Sequence, residues 1–303
     1  MFDRAALVCE IAGAMAESAA PAWLDRRAYP FRSRYLELEM GRLHYVDEGV
    51  GKPLLMVHGQ PTWSFLFREQ VRALSAGYRC VALDLIGFGL SDKPAGWTYW
   101  PEDHAAVVGR LVEELDLEEV TLLVHDWGGP IGLGWAARNP ERVARLVILN
   151  TWMWSMADVF WARVFSGLLG SAAGRWLTRR RNLFVRDFMS RALSPERWRE
   201  VSSQYEGPLA RPEDRTGEAL FPRQIIAATP WLEQTWELRG AIADRPTLLV
   251  WGMRDPVFRP DVLARLAAAF PHHRIERQAE VGHFVSEEMG PGLAKLIGDF
   301  VAV

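Results

Sequence analysis

What this chain has little of narrows it before any motif is read. Cysteine occurs twice, at Cys9 and Cys80, too rarely for a disulfide framework. Cys80 sits in an apolar strand-like run and reads as a small buried hydrophobe, so a reducing cytoplasm is the expected setting. No uninterrupted apolar run approaches the roughly 18 residues of a membrane-spanning helix, and Asp3 and Glu10 stand where a secretion signal carries basic residues. Basic charge is not in excess. Against 38 Asp and Glu there are 35 Lys and Arg, a net charge of -3, which argues against nucleic acid or an anionic membrane as partner. Internal repeats and low-complexity segments are missing as well. Apolar residues are abundant: they make up 49% of the 303 residues, enough for a large core, and of 14 tryptophans seven fall between Trp152 and Trp236.

Short apolar runs alternate with helical patterns along most of the chain. Arg34 to Met40 and His44 to Asp47 read as a hairpin joined by Gly41-Arg42. Leu54 to His58, Arg79 to Asp84, Val120 to His125, Arg145 to Asn150, Thr247 to Trp251 and Arg274 to Gln278 read as further strands. Eight strands, mostly followed by helices, imply an α/β fold with a mostly parallel sheet covered on both faces and its site at the C-terminal strand ends. The rhythm breaks over 151–243, which is helical in pattern, rich in Trp and Phe, and punctuated by Ser194-Pro195, Gly207-Pro208 and Thr229-Pro230. We read it as a helical cap inserted into a main domain made of 29–150 and 244–303. Residues 1–28 form an N-terminal helical extension in which Leu7, Val8, Ile11 and Met15 fall at helical spacing. That stripe suits packing on the body, on a partner or on a membrane surface. The run Arg179-Arg180-Arg181 reads as a solvated helix face.

Three strand ends carry the chemistry. Val120 to Val124 breaks at His125-Asp126-Trp127-Gly128-Gly129 and is followed by helix-compatible residues, the pattern of a nucleophile elbow, a tight turn that lifts one side chain above the sheet. That side chain is usually Ser and here is Asp126. An isolated Asp before two glycines could be a helix cap, but a carboxylate is already anionic at neutral pH and can displace a leaving group from an sp3 carbon, forming an ester on the enzyme. Leu54 to Val57 runs into His58-Gly59-Gln60-Pro61, the loop whose backbone N–H joins that of the residue after the nucleophile in an oxyanion hole. The donors fall on Gln60 and Trp127. Val281-Gly282-His283-Phe284 follows the last strand, where this arrangement carries its general base. The chain order nucleophile, acid, His needs an acid between them, and Asp255, just past the seventh strand, fills that place. The other acid position, after the sixth strand, holds Asn150, which cannot ionise. His125 reads as structural.

With these motifs in place the chain resembles the haloalkane dehalogenase family of α/β-hydrolases, from about Tyr29 to the C-terminus. The matching stretches are H-G-Q-P-T-W-S-F-L-F-R from His58, D-L-I-G-F-G-L-S-D-K-P from Asp84, V-H-D-W-G-G-P from Val124, W-G-M-R-D-P from Trp251 and G-H-F-V-S-E-E from Gly282. The resemblance implies an α/β-hydrolase fold with a helical cap, a small halogenated alkane as substrate, a halide ion as product, and no metal or organic cofactor. It gives Trp127 the departing halide, held by the indole N–H. A second halide donor comes either from the residue after His-Gly, commonly Asn and here Gln60, or from a cap tryptophan, for which Trp161 and Trp176 are candidates. Phe221, Pro222 and Ile225 match a pocket-lining cap helix, and Val257, Phe258 and Phe284 flank the acid and the base.

The implied reaction has two steps. Asp126 attacks the halogen-bearing carbon in a dry aromatic pocket, where water does not compete for the anion. Water deprotonated by His283, itself oriented by Asp255, then hydrolyses the ester. Three alternatives use the same scaffold. An epoxide hydrolase needs cap tyrosines, and this cap holds only Tyr205. A β-lactone decarboxylase of bacterial hydrocarbon biosynthesis shares H-D-W-G-G. A non-enzymatic scaffold would leave the triad and halide motifs without purpose.

Overall fold

The computed structural model of the protein describes residues 21–302. In chain order its strands are β1 (Arg34–Leu38), β2 (Gly41–Glu48), β3 (Pro53–Val57), β4 (Arg79–Leu83), β5 (Val120–Asp126), β6 (Val143–Thr151), β7 (Thr247–Gly252) and β8 (His273–Gln278). They form one sheet in the order β1-β2-β4-β3-β5-β6-β7-β8. Both pairings of β2 are antiparallel, and the remaining pairings are parallel. All eight expected strands are present with small shifts at their ends. The hairpin is tighter than the sequence reading had it: Leu38 pairs with Gly41, so the turn is Glu39-Met40 and Gly41-Arg42 already belongs to β2.

The principal helices are α1 (Arg68–Leu74), α2 (Pro101–Glu114), α3 (Gly128–Arg138), α4 (Phe160–Gly170), α5 (Ala172–Arg181), α6 (Pro195–Glu206), α7 (Thr216–Ala227), α8 (Thr229–Leu238), α9 (Pro260–Ala269), α10 (Val285–Met289) and α11 (Pro291–Val301). Five of them, α4 to α8, lie in the interval between β6 and β7. The central strands are apolar along nearly their whole length because a parallel sheet is covered on both faces. The pleat sends alternate side chains to opposite sides. Leu55, Val57, Leu122 and Val124 pack with Val108 and Leu111 of α2 and Ile131 of α3, whereas Leu54, Met56 and Leu123 pack with Val71 of α1 and Leu293 and Ile297 of α11. Each such side chain contributes roughly 1.5–3 kcal/mol through burial.

This topology dictates where a site can form. From β3 the chain crosses to β4 on one side, while β5 pairs with β3 on the other. The crevice beyond their C-terminal ends is a switch point, the place where open α/β sheets bind ligands.

The helix expected over Leu7, Val8, Ile11 and Met15 lies outside the described residues. Of the proposed 1–28 extension, residues 21–28 are turns and not helix. Leu24 is buried in the second core, and Trp23 meets Trp63 edge-on at 5.7 Å, so this stretch packs as part of the main body. Among the described residues no helix is long and apolar enough to cross a membrane, and Cys80 is a buried free thiol.

Candidate active site

At the end of β5 the backbone turns through Asp126, whose φ of 50° lies in the left-handed region. An L-residue held there costs about 1–2 kcal/mol. The turn is possible because its neighbours are glycines: a Cβ on Gly59 would collide with the Asp126 carboxylate and the Trp127 N–H, and one on Gly128 would collide with the Val57 carbonyl. The Thr151 hydroxyl, at the end of β6, donates to the Asp126 carbonyl and braces the elbow from the other side.

The loop after β3 delivers its donor to the same carboxylate. The Gln60 backbone N–H donates to Asp126 Oδ1 at 2.7 Å, and the Trp127 backbone N–H also stabilises the Asp126 anion. Both ring nitrogens of His58 are engaged by the backbone. Its Nε2 accepts from the Leu85 N–H at 2.8 Å and its Nδ1 lies 2.9 Å from the Gly59 carbonyl, which sets the tautomer and pins the loop.

His283 stands across from Asp126. Its Nδ1 is 2.8 Å from Asp255 Oδ2, and its Nε2 is 3.8 Å from Asp126 Oδ2, too far for a direct hydrogen bond. Asp255 is held on all sides. The Val257 N–H donates to Oδ1 at 2.7 Å and the Asn150 amide donates to Oδ2 at 2.8 Å. The same Asn150 side chain bonds the Gly252 N–H and carbonyl, tying the ends of β6 and β7 together. His125 steadies the other partner: its Nε2 donates to the His283 carbonyl at 2.8 Å, while burial holds its own pKa down at about 3, so it stays neutral.

Electrostatics separate the three groups. Burial raises the Asp126 pKa, opposed by His283 and the two backbone N–H groups. Burial also works against the Asp255 anion, but His283 and the surrounding donors outweigh it and hold Asp255 at about 2. For His283, burial disfavours the cation, yet Asp255 and then Asp126 prevail and raise its pKa above the ordinary 6.5. Each carboxylate therefore stabilises the imidazolium, and removing either must lower the His283 pKa. In a 1H–15N NMR titration of the imidazoles we expect His283 to titrate above 6.5 and to move toward acid in both Asp126→Asn and Asp255→Asn. A His283 resonance unmoved in both variants would contradict the arrangement.

An aromatic wall runs from Trp127 to the base. Phe221 of α7 stacks on Trp127 at 4.8 Å, Trp152 meets Trp127 at 4.8 Å, Phe258 stacks on Trp152 at 5.2 Å, and Phe258 and Phe284 lie 5.7 and 4.7 Å from the His283 ring. Pro222 is buried beside Phe221, and Ile225 is half-buried against the same core. Other expectations need correction. Trp161 and Trp176 are 72% and 66% exposed, because they lie on the outward faces of α4 and α5, so neither indole faces Asp126. Val257 is 63% exposed: its backbone serves Asp255 while its side chain points to solvent. The Gln60 amide donates to the Glu218 carbonyl of α7 at 2.6 Å, which draws it toward the helical insertion. Trp152 was overlooked. It is buried and, among the described residues, its indole N–H has no hydrogen-bond partner. Its position just past β6, at a C-terminal strand end, was the signal that could have found it.

Fold and site together define an α/β-hydrolase, and the α/β-hydrolase-fold family description matches residues 52–289. Haloalkane dehalogenase 2 of Mycobacterium tuberculosis is 39% identical over 275 residues, 90% of this chain and 96% of that protein. Cis-3-alkyl-4-alkyloxetan-2-one decarboxylase of Shewanella oneidensis is 35% identical over 277 residues, 86% of this chain and 85% of its own length. Among solved structures, the haloalkane dehalogenase DatA from Agrobacterium tumefaciens C58 superposes with a TM-score of 0.79 at 28% identity, over 89% of this chain and 96% of that one. The chain belongs to the haloalkane dehalogenase family of α/β-hydrolases.

Proposed function

We propose that the protein hydrolyses haloalkanes to an alcohol and a halide through an alkyl ester on Asp126, beneath a cap formed by 151–243. The observation that carries this reading is the division of labour on one carboxylate: Oδ1 is held by the Gln60 N–H, while Oδ2 faces His283 Nε2 at 3.8 Å. Oδ2 attacks the carbon, the new C–O bond forms as the C–halogen bond breaks, and the electron pair departs with the halide. Oδ1 then becomes the ester carbonyl oxygen, already seated between the N–H groups that stabilise the oxyanion of the second step. A water in the gap gives its proton to Nε2 and its oxygen attacks the carbonyl carbon. Collapse of the adduct expels the alkoxide, which takes the proton back from the imidazolium, and the Asp126 carboxyl group gives the water's second proton to solvent, which restores the anion.

Two indoles meet where the halide departs. The Trp127 ring lies 4.8 Å from both Phe221 and Trp152, and the Trp152 N–H is buried and unpartnered among the described residues. With the Gln60 amide engaged by Glu218, Trp152 is our candidate for the second halide donor. Trp127→Phe and Trp152→Phe keep the ring and delete the donor, and each is expected to slow bromide release on the order of 100-fold. Hydrolysis of a p-nitrophenyl ester should suffer less in both. A Trp152→Phe protein that keeps most of its bromide-releasing rate removes Trp152 from the site.

Epoxide hydrolysis is disfavoured because Tyr205 is buried against Glu287, to which its hydroxyl donates. The name of the Shewanella relative makes a β-lactone the comparison substrate. Assaying a bromoalkane, an epoxide and a β-lactone side by side tests the reading, and decarboxylation without halide release overturns it.

A further inference from the structure

The two tryptophans that turn away from the active site mark a second surface. From Phe160 to Asn182 the chain carries five arginines, Arg163, Arg175, Arg179, Arg180 and Arg181, and no Asp or Glu. The overall charge of -3 conceals this local cationic stretch. Among the described residues none of the five pairs with a carboxylate, whereas the neighbouring Arg186 and Arg191 pair with Glu206 and Asp187. Phe160, Trp161, Leu168, Trp176 and Leu177 are exposed on the same two helices. The opposite side of α4 packs on α7, where the Ser166 hydroxyl donates to the Arg223 carbonyl and Gly170 fits against Arg223, so among the described residues no element covers these apolar side chains, and Phe160 and Trp161 meet each other edge-on at 5.0 Å.

Beside Trp176 a groove of about 460 Å³ is lined by Arg175, Arg179 and Arg180, with Pro212 and Thr216 on its far side and no carboxylate in its walls. Arg175 and Arg179 are oriented by bonds to the Gly170 and Pro212 carbonyls. The acids at the border are mostly engaged: Asp187 with Arg191, and Glu213 and Asp214 with Arg211, which leaves Asp158 ahead of α4. Placement in the last turn of α5 suits Arg179, Arg180 and Arg181 to the helix dipole, but the dipole gives no reason for exposed indoles beside them. Apolar aromatic side chains collared by arginine are the composition of a helix lying in a bilayer interface, indoles at headgroup depth and guanidinium groups on phosphate. A second copy of the chain fits poorly, since a two-fold contact would set these arginines against themselves.

We propose that the outward face of α4 and α5 docks the protein on an anionic phospholipid surface, with the arginine-lined groove taking a lipid phosphate. The test is sedimentation of the 303-residue protein with phosphatidylcholine vesicles and with vesicles that also contain phosphatidylglycerol. The protein should pellet with the anionic vesicles, stay free of the neutral ones, and be released by salt. Each arginine replaced by Gln at 175, 179 and 180 should weaken partitioning roughly fivefold, on the order of a hundredfold for all three. Trp161→Ser with Trp176→Ser removes only exposed side chains and should abolish pelleting with the thermal melt unchanged, which separates docking from misfolding. No pelleting with anionic vesicles, or pelleting that survives both sets of changes, overturns the proposal. So does saturable binding of inorganic phosphate without vesicle binding, which would make the groove an ion site only. A dimer in light scattering that disappears with the two tryptophans would assign the face to a second copy instead.

Discussion

Asp126→Asn should leave a folded protein that releases no halide from 1-bromobutane above background, a loss of at least about a thousandfold. Asn is the informative replacement, since among non-glycine residues it tolerates the left-handed conformation that this position adopts, at a φ of 50°, whereas Ala adds backbone strain to the loss of charge. The amide has the carboxylate's shape and can still meet the Gln60 N–H through its oxygen, but it cannot displace a halide. Unchanged circular dichroism with residual turnover above a tenth of wild type would mean that another group attacks the carbon.

The second large effect is a reaction that stops halfway. In the proposed sequence the first step uses Asp126 and the halide donors, and only ester hydrolysis uses the imidazole. His283→Phe should therefore release one equivalent of bromide per active site and then stall, whereas wild type turns over continuously. Phe suits the place because the ring is already surrounded by Phe258, Phe284 and His125. Intact-protein mass spectrometry after exposure to 1-bromobutane should show the added butyl group, and peptide mapping should locate it in the segment containing Val124 to Gly129. An adduct on any other residue, or none at all, would remove the covalent Asp126 intermediate. Decarboxylation of a β-lactone leaves no such mark.

The fold was legible because the central strands are buried along nearly their whole length and are therefore almost wholly apolar, and because their turns carry residues that permit tight geometry, such as Gly59 and Gly128. The meeting of Asp126, Asp255 and His283 was legible for a related reason, since each lies at or just past the C-terminal end of a parallel strand and parallel strands bring those ends together. Side-chain direction was not legible. Trp161 and Trp176 lie in a helical segment where inward and outward positions alternate within one turn, and only the packing of α4 and α5 on α7 settles which way they face. Val257 illustrates the same gap at a single residue, with backbone and side chain serving opposite directions. Asn150 was dismissed as unable to ionise, whereas an amide that donates to Asp255 and clasps Gly252 supports the acid without being one.

The helical insertion is one contiguous piece of sequence, which invites its exchange as a cassette between related enzymes. Its seams are elsewhere. The Gln60 amide bonds the Glu218 carbonyl, and Glu287, just after the base, is clamped by Arg68 from the main body and by Tyr205 and Arg197 from the insertion. An acceptor lacking this set would leave a buried guanidinium or carboxylate uncompensated, at a cost of about 3–5 kcal/mol. A transplantable unit has to carry residues 60, 68 and 287 with it, so its boundaries in space and its boundaries along the chain are different boundaries.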